Sequence, residues 1–513
     1  GKTNVNEVIN GQLSTSDKPA GFLDPNFPTI SGGVGGTYFG TGSYWEYNRA
    51  SFFGRINYNF NDRYLFQFTF REDGSSKFGA DSRWGFFPSV AVGWRISEEP
   101  FFPKNSVVSN LKFRASWGQL GNENALGKYD FLARIASYND MYMGYVQGAG
   151  SNPWTGSIAR ALENRSLKWE TTDTKNIGFD FGLFGNHLNG NINYYLNETR
   201  DLLITRRIAP SAGLDNPTLN VGKMRNQGFE LELNWNDKIS DFEYNVGFNI
   251  STIANKVVAL ANEDQTIYGV GLKYGTEHFP TQTKVGKPIG AFYLYQADGI
   301  FQSLEEVQAH KNSKGELLQP NAQPGDVRFK DMNGDGVIDE DDKTYSGTGI
   351  AKVEANLNLG ASYKGFDFSA VIGSAFGNKL YNGIRYYYEG MNSGSNFLKT
   401  TLNAWTPTNT KTDIPRAVFG DPNQNTREST RFLENGDFVR LRQVQLGYTL
   451  PKALYKHIYC ESIRFYVSAE NVFTITGYSG ANPEFSQGVL NSGVDRFTYP
   501  FSRSYTVGAQ VSF

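Results

Sequence analysis

The segment from Phe501 to Phe513 constrains the fold more than any other part of the chain. Phe501, Arg503, Tyr505, Val507, Ala509, Val511 and Phe513 share one face, and Ser502, Ser504, Thr506, Gly508, Gln510 and Ser512 share the other. Such strict period-2 alternation specifies a β-strand with one apolar and one polar face. Between Tyr505 and Phe513 the apolar face is about nine residues long with an aromatic at each end, the length and bracketing of a tilted bilayer-crossing strand. Bacterial outer-membrane barrels end on such an aromatic. An edge strand of a soluble sandwich needs neither feature.

Composition agrees. Aromatic residues make up 15% of the 513 residues and glycines number 56, yet hydrophobic residues reach only 39% and mean hydropathy is -0.46. No apolar run of about 18 residues is present, so no membrane helix is expected. A barrel reconciles these facts, because only alternate strand residues meet lipid. A net charge of -2 gives no footprint for nucleic acid. The single cysteine, Cys460, precludes an intramolecular disulfide, and four scattered histidines give no zinc pattern.

The alternation recurs along the chain. Phe52–Phe60, Tyr64–Phe70, Val90–Ile96, Leu111–Trp117, Ile177–Leu183, Ile192–Leu196, Phe229–Trp235, Tyr244–Ile250, Val353–Tyr363, Phe366–Ile372, Val444–Tyr448 and Ile463–Ala469 precede the terminal strand. The fold class is therefore all-β, a transmembrane antiparallel barrel with about 13 strands. Tight turns are expected at Asn61, Gly185, Asn236 and Lys364. Long loops are expected near 119–170, 198–223, 254–352, 378–436 and 474–500. Barrels keep short turns periplasmic and long loops external. With Phe513 on the periplasmic side, counting back places every tight turn inside and every long loop outside. It also places residues 1–45 outside as a loop segment, with the barrel at 46–513. An odd strand count starting outside suggests the C-terminal part of a larger barrel, its remaining strands supplied by an upstream part.

Two loop constellations stand out. Asp331, Asn333, Asp335, the Val337 carbonyl, Asp339 and Asp342 take positions 1, 3, 5, 7, 9 and 12 of a calcium loop, with Gly336 at the sharp turn. Short carboxylates alternating in a tight turn converge on one oxygen shell, so Ca2+ in a structural role is expected. Asp in place of Glu at the last position shortens the bidentate arm. The second constellation is Tyr381, Arg385, Tyr386, Tyr387, Tyr388 and Trp405, whose rings suit substrate contact with sugars or peptides. Packing between loops is the plainer alternative. Trp94, Trp117 and Trp235 fall on lipid-facing registers as girdle residues. Glu98, Glu99, Glu230 and Glu232 read as solvated acids. No nucleophile, base and orienting group come together, so no enzyme is expected.

The blocks FGRINYNFNDRYLFQFTFREDGSSKFG, RWGFFPSVAVGWRISEEPFF, LKFRASWGQLGNE, LKWETTDTKNIGFDFGLF, NVGKMRNQGFELELNW, GDVRFKDMNGDGVIDEDDKT, FVRLRQVQLGYTLP, FYVSAENVFTITGYSGANPEF and YPFSRSYTVGAQVSF follow one another in order. In this arrangement the chain resembles the SusC/RagA family of TonB-dependent outer-membrane transporters. The resemblance implies a barrel of about 22 strands around a plug, the plug being absent from this sequence. It further implies active import of oligosaccharides or peptides in Gram-negative bacteria of the Bacteroidetes group. A SusD-like surface lipoprotein and TonB, acting through the plug, would be the partners. A passive porin, or a barrel serving as an adhesin or secretion platform, would share the strands but not the gated path.

Overall fold

The computed structural model describes residues 2–5, 13–14, 37–38, 45–103, 107–138, 156–205, 208–261, 265–274, 276–391, 396–455, 459–485 and 487–513. Among the described residues thirteen long strands carry the fold, in agreement with the expected number of about 13. They are β1 (Trp45–Phe60), β2 (Tyr64–Ser75), β3 (Trp84–Arg95), β4 (Val108–Asn122), β5 (Glu170–Leu183), β6 (Leu188–Arg200), β7 (Lys223–Ile239), β8 (Phe242–Thr252), β9 (Val353–Tyr363), β10 (Phe366–Phe376), β11 (Phe438–Thr449), β12 (Ser462–Thr476) and β13 (Ser504–Ser512). No described helix is long and apolar enough to cross a membrane.

The chain divides into two compact units: Gly1–Gly93, Ala115–Lys175 and Asn197–Met224 form one, and Trp94–Arg114, Asn176–Leu196 and Arg225–Phe513 the other. In the first, β1 pairs with β2 from Arg49↔Ser75 to Phe60↔Tyr64. Phe78, Phe87, Leu126, Leu167, Trp169 and Leu203 form its buried core. Most of the segment 1–45 lies outside the described residues; within it, Lys2–Val5 pairs antiparallel with the start of β1, Lys2 opposite Asn48 and Val5 opposite Trp45. An extended edge with unpaired N–H and C=O groups recruits such a partner.

In the second unit the strands from β7 to β13 follow sequence order. The registers line up like with like. Ala361, Phe368, Leu446, Val467 and Val507 form one cross-strand row, and Tyr363, Phe366, Tyr448, Phe465 and Ala509 form the next. Between them on the opposite face lie Ser362, Asp367, Gly447, Tyr466 and Gly508. The first set is an apolar belt ending in an aromatic rim, and the second is a polar wall. Phe366, Phe465, Val467 and Val507 are exposed in the isolated chain, as lipid-facing residues must be.

Turn chemistry holds the hairpins. Asn61 and Asp62 (φ 51° and 52°) and Lys364 and Gly365 (φ 45° and 89°) supply the paired left-handed residues of tight hairpins. One turn lies elsewhere than expected. Asn236 is inside the ladder opposite Asn245, and the chain reverses at Ser240, φ 56°, and Asp241. Asn236-Asp237 suits a turn by residue type, but the pairs Trp235↔Val246 and Ile239↔Phe242 prolong both strands beyond it. Trp235 donates from Nε1 to the Tyr244 hydroxyl at 3.3 Å. Trp94 likewise donates to Glu99 at 2.9 Å, so Glu99 is a buried acceptor rather than the solvated acid expected.

Candidate functional site

The segments that leave β8–β9, β10–β11 and β12–β13 build a folded layer with its own cores. Lys379–Asn382 pairs antiparallel with Leu433–Asn435 and parallel with Val494–Asp495, tying two of these segments together. Leu272, Phe292, Leu294, Tyr381, Tyr386, Phe432 and Val494 pack as one fully buried cluster drawn from all three.

Buried charges fix their relative positions. Glu428 accepts from Lys343 at 2.5 Å and pairs with His278. Glu389 takes Arg431 at 2.9 Å and Arg385 at 3.1 Å, while Arg385 also reaches Glu434 at 3.2 Å. Asp326, fully buried, binds both arms of Arg416 at 2.8 and 3.1 Å and the Asn425 amide at 3.0 Å. Burial alone would raise the Glu428 carboxyl, but the His278 hydrogen bond and the Lys343 charge outweigh it and hold the group at about 2. Its folded value lies below its ordinary 4.5, so the stabilisation is complete above that value and is lost as pH falls toward 2. Amide protection across 276–283, 340–348 and 426–432, corrected for the intrinsic exchange rate at each pH, is expected to fall over this acid window. Unchanged protection at pH 3 would refute the assignment.

The aromatic residues expected to meet substrate separate into two groups. Tyr381 and Tyr386 have no exposed surface and Trp405 is buried, donating from Nε1 to Gln302 at 3.0 Å. These three are packing residues, because the layer closes over them. Arg385 is spent on carboxylates. Tyr387 and Tyr388 are half-buried and pack on Phe497 at 5.4 and 5.6 Å.

The acidic loop takes a tight, self-bonded form. Asp331 accepts from the backbone of Gly334 at 2.6 Å and Gly336 at 2.9 Å, and Gly336 has φ 92°. Asn333 and Asp335 bond each other, and Asp335 accepts from the Val337 N–H at 2.9 Å. Asp342 is fully buried and accepts from Met332 at 2.7 Å and Asp339 at 2.8 Å. Asp339 caps the short turn Glu340–Asp342. Among the described residues, no three His, Cys, Asp or Glu side chains converge as a metal-binding group.

One feature of the polar wall escaped the sequence reading. Arg440 and Arg442 fall in the same parity as Val444 and Leu446, which would point both at lipid. A β-bulge between Leu441 and Gln443 resets the register. Arg440 now lies opposite Gly373 and Thr474 on the polar face. The bulged Arg442 follows it, its Nε lying against the α-carbon of Gly373 where a β-carbon would stand. Both arginines hold Glu484, each at 2.9 Å. Bulges re-aim side chains in this way, and two arginines in an apolar parity were the available signal. Lower on the wall, Arg464 and Asp367 form a bidentate pair at 2.8 and 2.5 Å.

Comparison with known proteins agrees with this architecture. Residues 4–472 match the family model described as "TonB dependent receptor-like, beta-barrel". TonB-dependent receptor P3 of Formosa agariphila is 31% identical over 477 residues, 91% of this chain and 46% of that protein. TonB-dependent receptor SusC of Bacteroides thetaiotaomicron is 31% identical over 475 residues, 90% and 44% respectively. The chain thus spans about half the length of the curated relatives it matches. The structure of the RagAB peptide transporter superposes with TM-score 0.75 at 26% identity, over 96% of this chain and 51% of that one. The protein is an outer-membrane β-barrel, and it belongs to the TonB-dependent receptor family, among its SusC- and RagA-like members.

Proposed function

We propose that this chain supplies barrel wall and external loops to a TonB-driven importer of oligomeric nutrients, oligosaccharides or peptides. The observation that carries this reading is likeness to both SusC and the RagAB peptide transporter over nine-tenths or more of the chain. A polar inner wall and an ion-paired loop layer suit a large hydrophilic cargo better than a narrow pore. A SusD-like lipoprotein on the outer side and TonB, reached through a plug, complete the assembly. Deleting the full-length gene is expected to abolish uptake of at least one glycan or peptide, and a TonB-deficient strain should reproduce the loss. Uptake that persists without TonB would favour the porin reading. Intact uptake of every cargo after deletion would favour the platform reading.

We further propose Ca2+ at the 331–342 loop in a structural role. Gly336 takes the positive φ that the sixth position of such a loop requires, and the Asx bonds of Asp331, Asn333 and Asp335 already hold the turn in shape. The Asp342 carboxylate, engaged by backbone N–H groups, would have to share an oxygen, so binding is weak, with Kd of about 10⁻⁴–10⁻³ M. Tenfold excess over Kd is expected to stabilise the loop by about 1.4 kcal/mol, read as slower proteolysis within 331–342. Asp335→Ala should remove the effect. Equal proteolysis with calcium and with chelator would overturn the proposal.

A further inference from the structure

We infer that a pocket at the loop end of β9, β10 and β11 is a subsite for one neutral, hydroxyl-rich ring of a saccharide cargo; this rests on the importer reading above. The pocket holds about 380 Å3 and is lined by Asn356, Ser374, Asn378, Phe438, Arg442 and Glu484, among others. That volume lies in the range of small-ligand sites and admits a single sugar residue with its neighbour.

Two observations point to a ligand. Asn378 is 95% buried, being 5% exposed, and its Oδ1 has no hydrogen-bond partner among the described residues. A buried amide left unsatisfied is costly, and native sites rarely keep one without a partner that arrives later. Oxygen and nitrogen of an amide are assigned by their bonds rather than seen, so a turn about χ2 offers either a donor or an acceptor. The second observation is the bulge. It sends Arg442 into the pocket across Gly373, where only a glycine leaves room for the guanidinium. Only one Arg442 nitrogen is engaged by Glu484, at 2.9 Å, and the side chain is 40% exposed. The remaining face of the guanidinium fork is open to an acceptor.

The chemistry selects the cargo. Among the lining charges, Arg442 is held by Glu484, which also takes Arg440 from beside the pocket, and Glu354 is a second lining carboxylate, so no excess positive charge calls for an anionic ligand. Guanidinium, carboxylate and amide are planar forks that match adjacent hydroxyls, each of which donates and accepts. Phe438 and Leu380, both buried, line the pocket as apolar surface for a ring face. A peptide bound by strand addition would instead need a free strand edge for its backbone. Strands β9, β10 and β11 are paired on both sides, and they offer none.

The test is calorimetry on the full-length protein with a panel of neutral oligosaccharides (α- and β-linked glucan, mannan and xylan hexamers) and a pool of tryptic peptides. Asn378→Ala and Arg442→Met are compared with Thr400→Ala, which lies outside the pocket. Heat-modifiable gel migration checks barrel assembly, and Gly373→Ala crowds Arg442 without removing a polar group. At least one oligosaccharide is expected to bind, with affinity falling tenfold or more in Asn378→Ala, Arg442→Met and Gly373→Ala and unchanged in Thr400→Ala. Binding of peptides alone, binding of nothing on the panel, or saccharide binding indifferent to all three pocket variants would overturn the subsite. If TonB-dependent uptake survives in those variants, only the subsite fails and the importer reading stands.

Discussion

Replacing Glu428 with alanine is expected to destabilise the external loop layer by about 3–5 kcal/mol, the cost of leaving a buried charge without its partner. Lys343, buried beside it, would keep only the exposed Glu340 at 2.6 Å, and His278 would lose its carboxylate. Glu428 sits one residue before Ser429, whose bridge to Tyr295 joins the 428–432 turn to the strand core of the layer. Loss of the charge therefore loosens two loops at once. Glu428→Gln keeps the shape and part of the hydrogen bonding but not the charge, so an intermediate loss is expected. Limited proteolysis and hydrogen exchange on the assembled protein report the effect, because the barrel strands should keep their protection. Wild-type exchange in Glu428→Ala would show that the cluster is not what orders these loops.

The second large effect concerns the wall itself. Val467→Arg, one row in from the aromatic rim, is expected to cost about 1–3 kcal/mol in folding into a bilayer, between the interfacial cost and the roughly 2–4 kcal/mol of a cation at mid-depth on a barrel's lipid face. Val467 sits between Leu446 and Val507 in the apolar row. Its neighbour Ser468 sits between Gln445 and Thr506 on the other face. Ser468→Arg should therefore fold with little penalty, since the added charge stays in water. Denaturant titration of the protein folded into lipid vesicles measures both. Equal costs at the two positions would be incompatible with the assignment of faces.

The barrel was legible in the sequence because period-2 alternation, turn dipeptides and loop lengths are local signals that the membrane leaves no freedom to override. The register rows through Phe368, Leu446 and Val467 follow from them directly. Local signals failed where tertiary contact decides. Tyr381 and Tyr386 look like exposed loop aromatics by composition, but three loops from distant parts of the chain close over them. Arg440 and Arg442 point to the polar wall only because a single extra residue resets the pleat. Asn236 looked like a turn because its residue type outweighed the pairs that continue beyond it. In the acidic loop the spacing is local and legible, while the Asx bonds by which Asp331, Asn333 and Asp335 shape the turn appear only in the structure.

Site-directed spin labelling along 463–469 and 505–511 of the full-length protein in lipid vesicles, with Cys460 replaced by serine, tests the central claim most directly. Labels at Val467, Tyr505 and Val507 should be relaxed by lipid-soluble oxygen. Labels at Ser468, Thr506 and Gln510 should be relaxed by a water-soluble nickel chelate, with accessibility alternating residue by residue. Uniform access to the aqueous reagent, or alternation of the opposite phase, would contradict a membrane-spanning wall built from these strands.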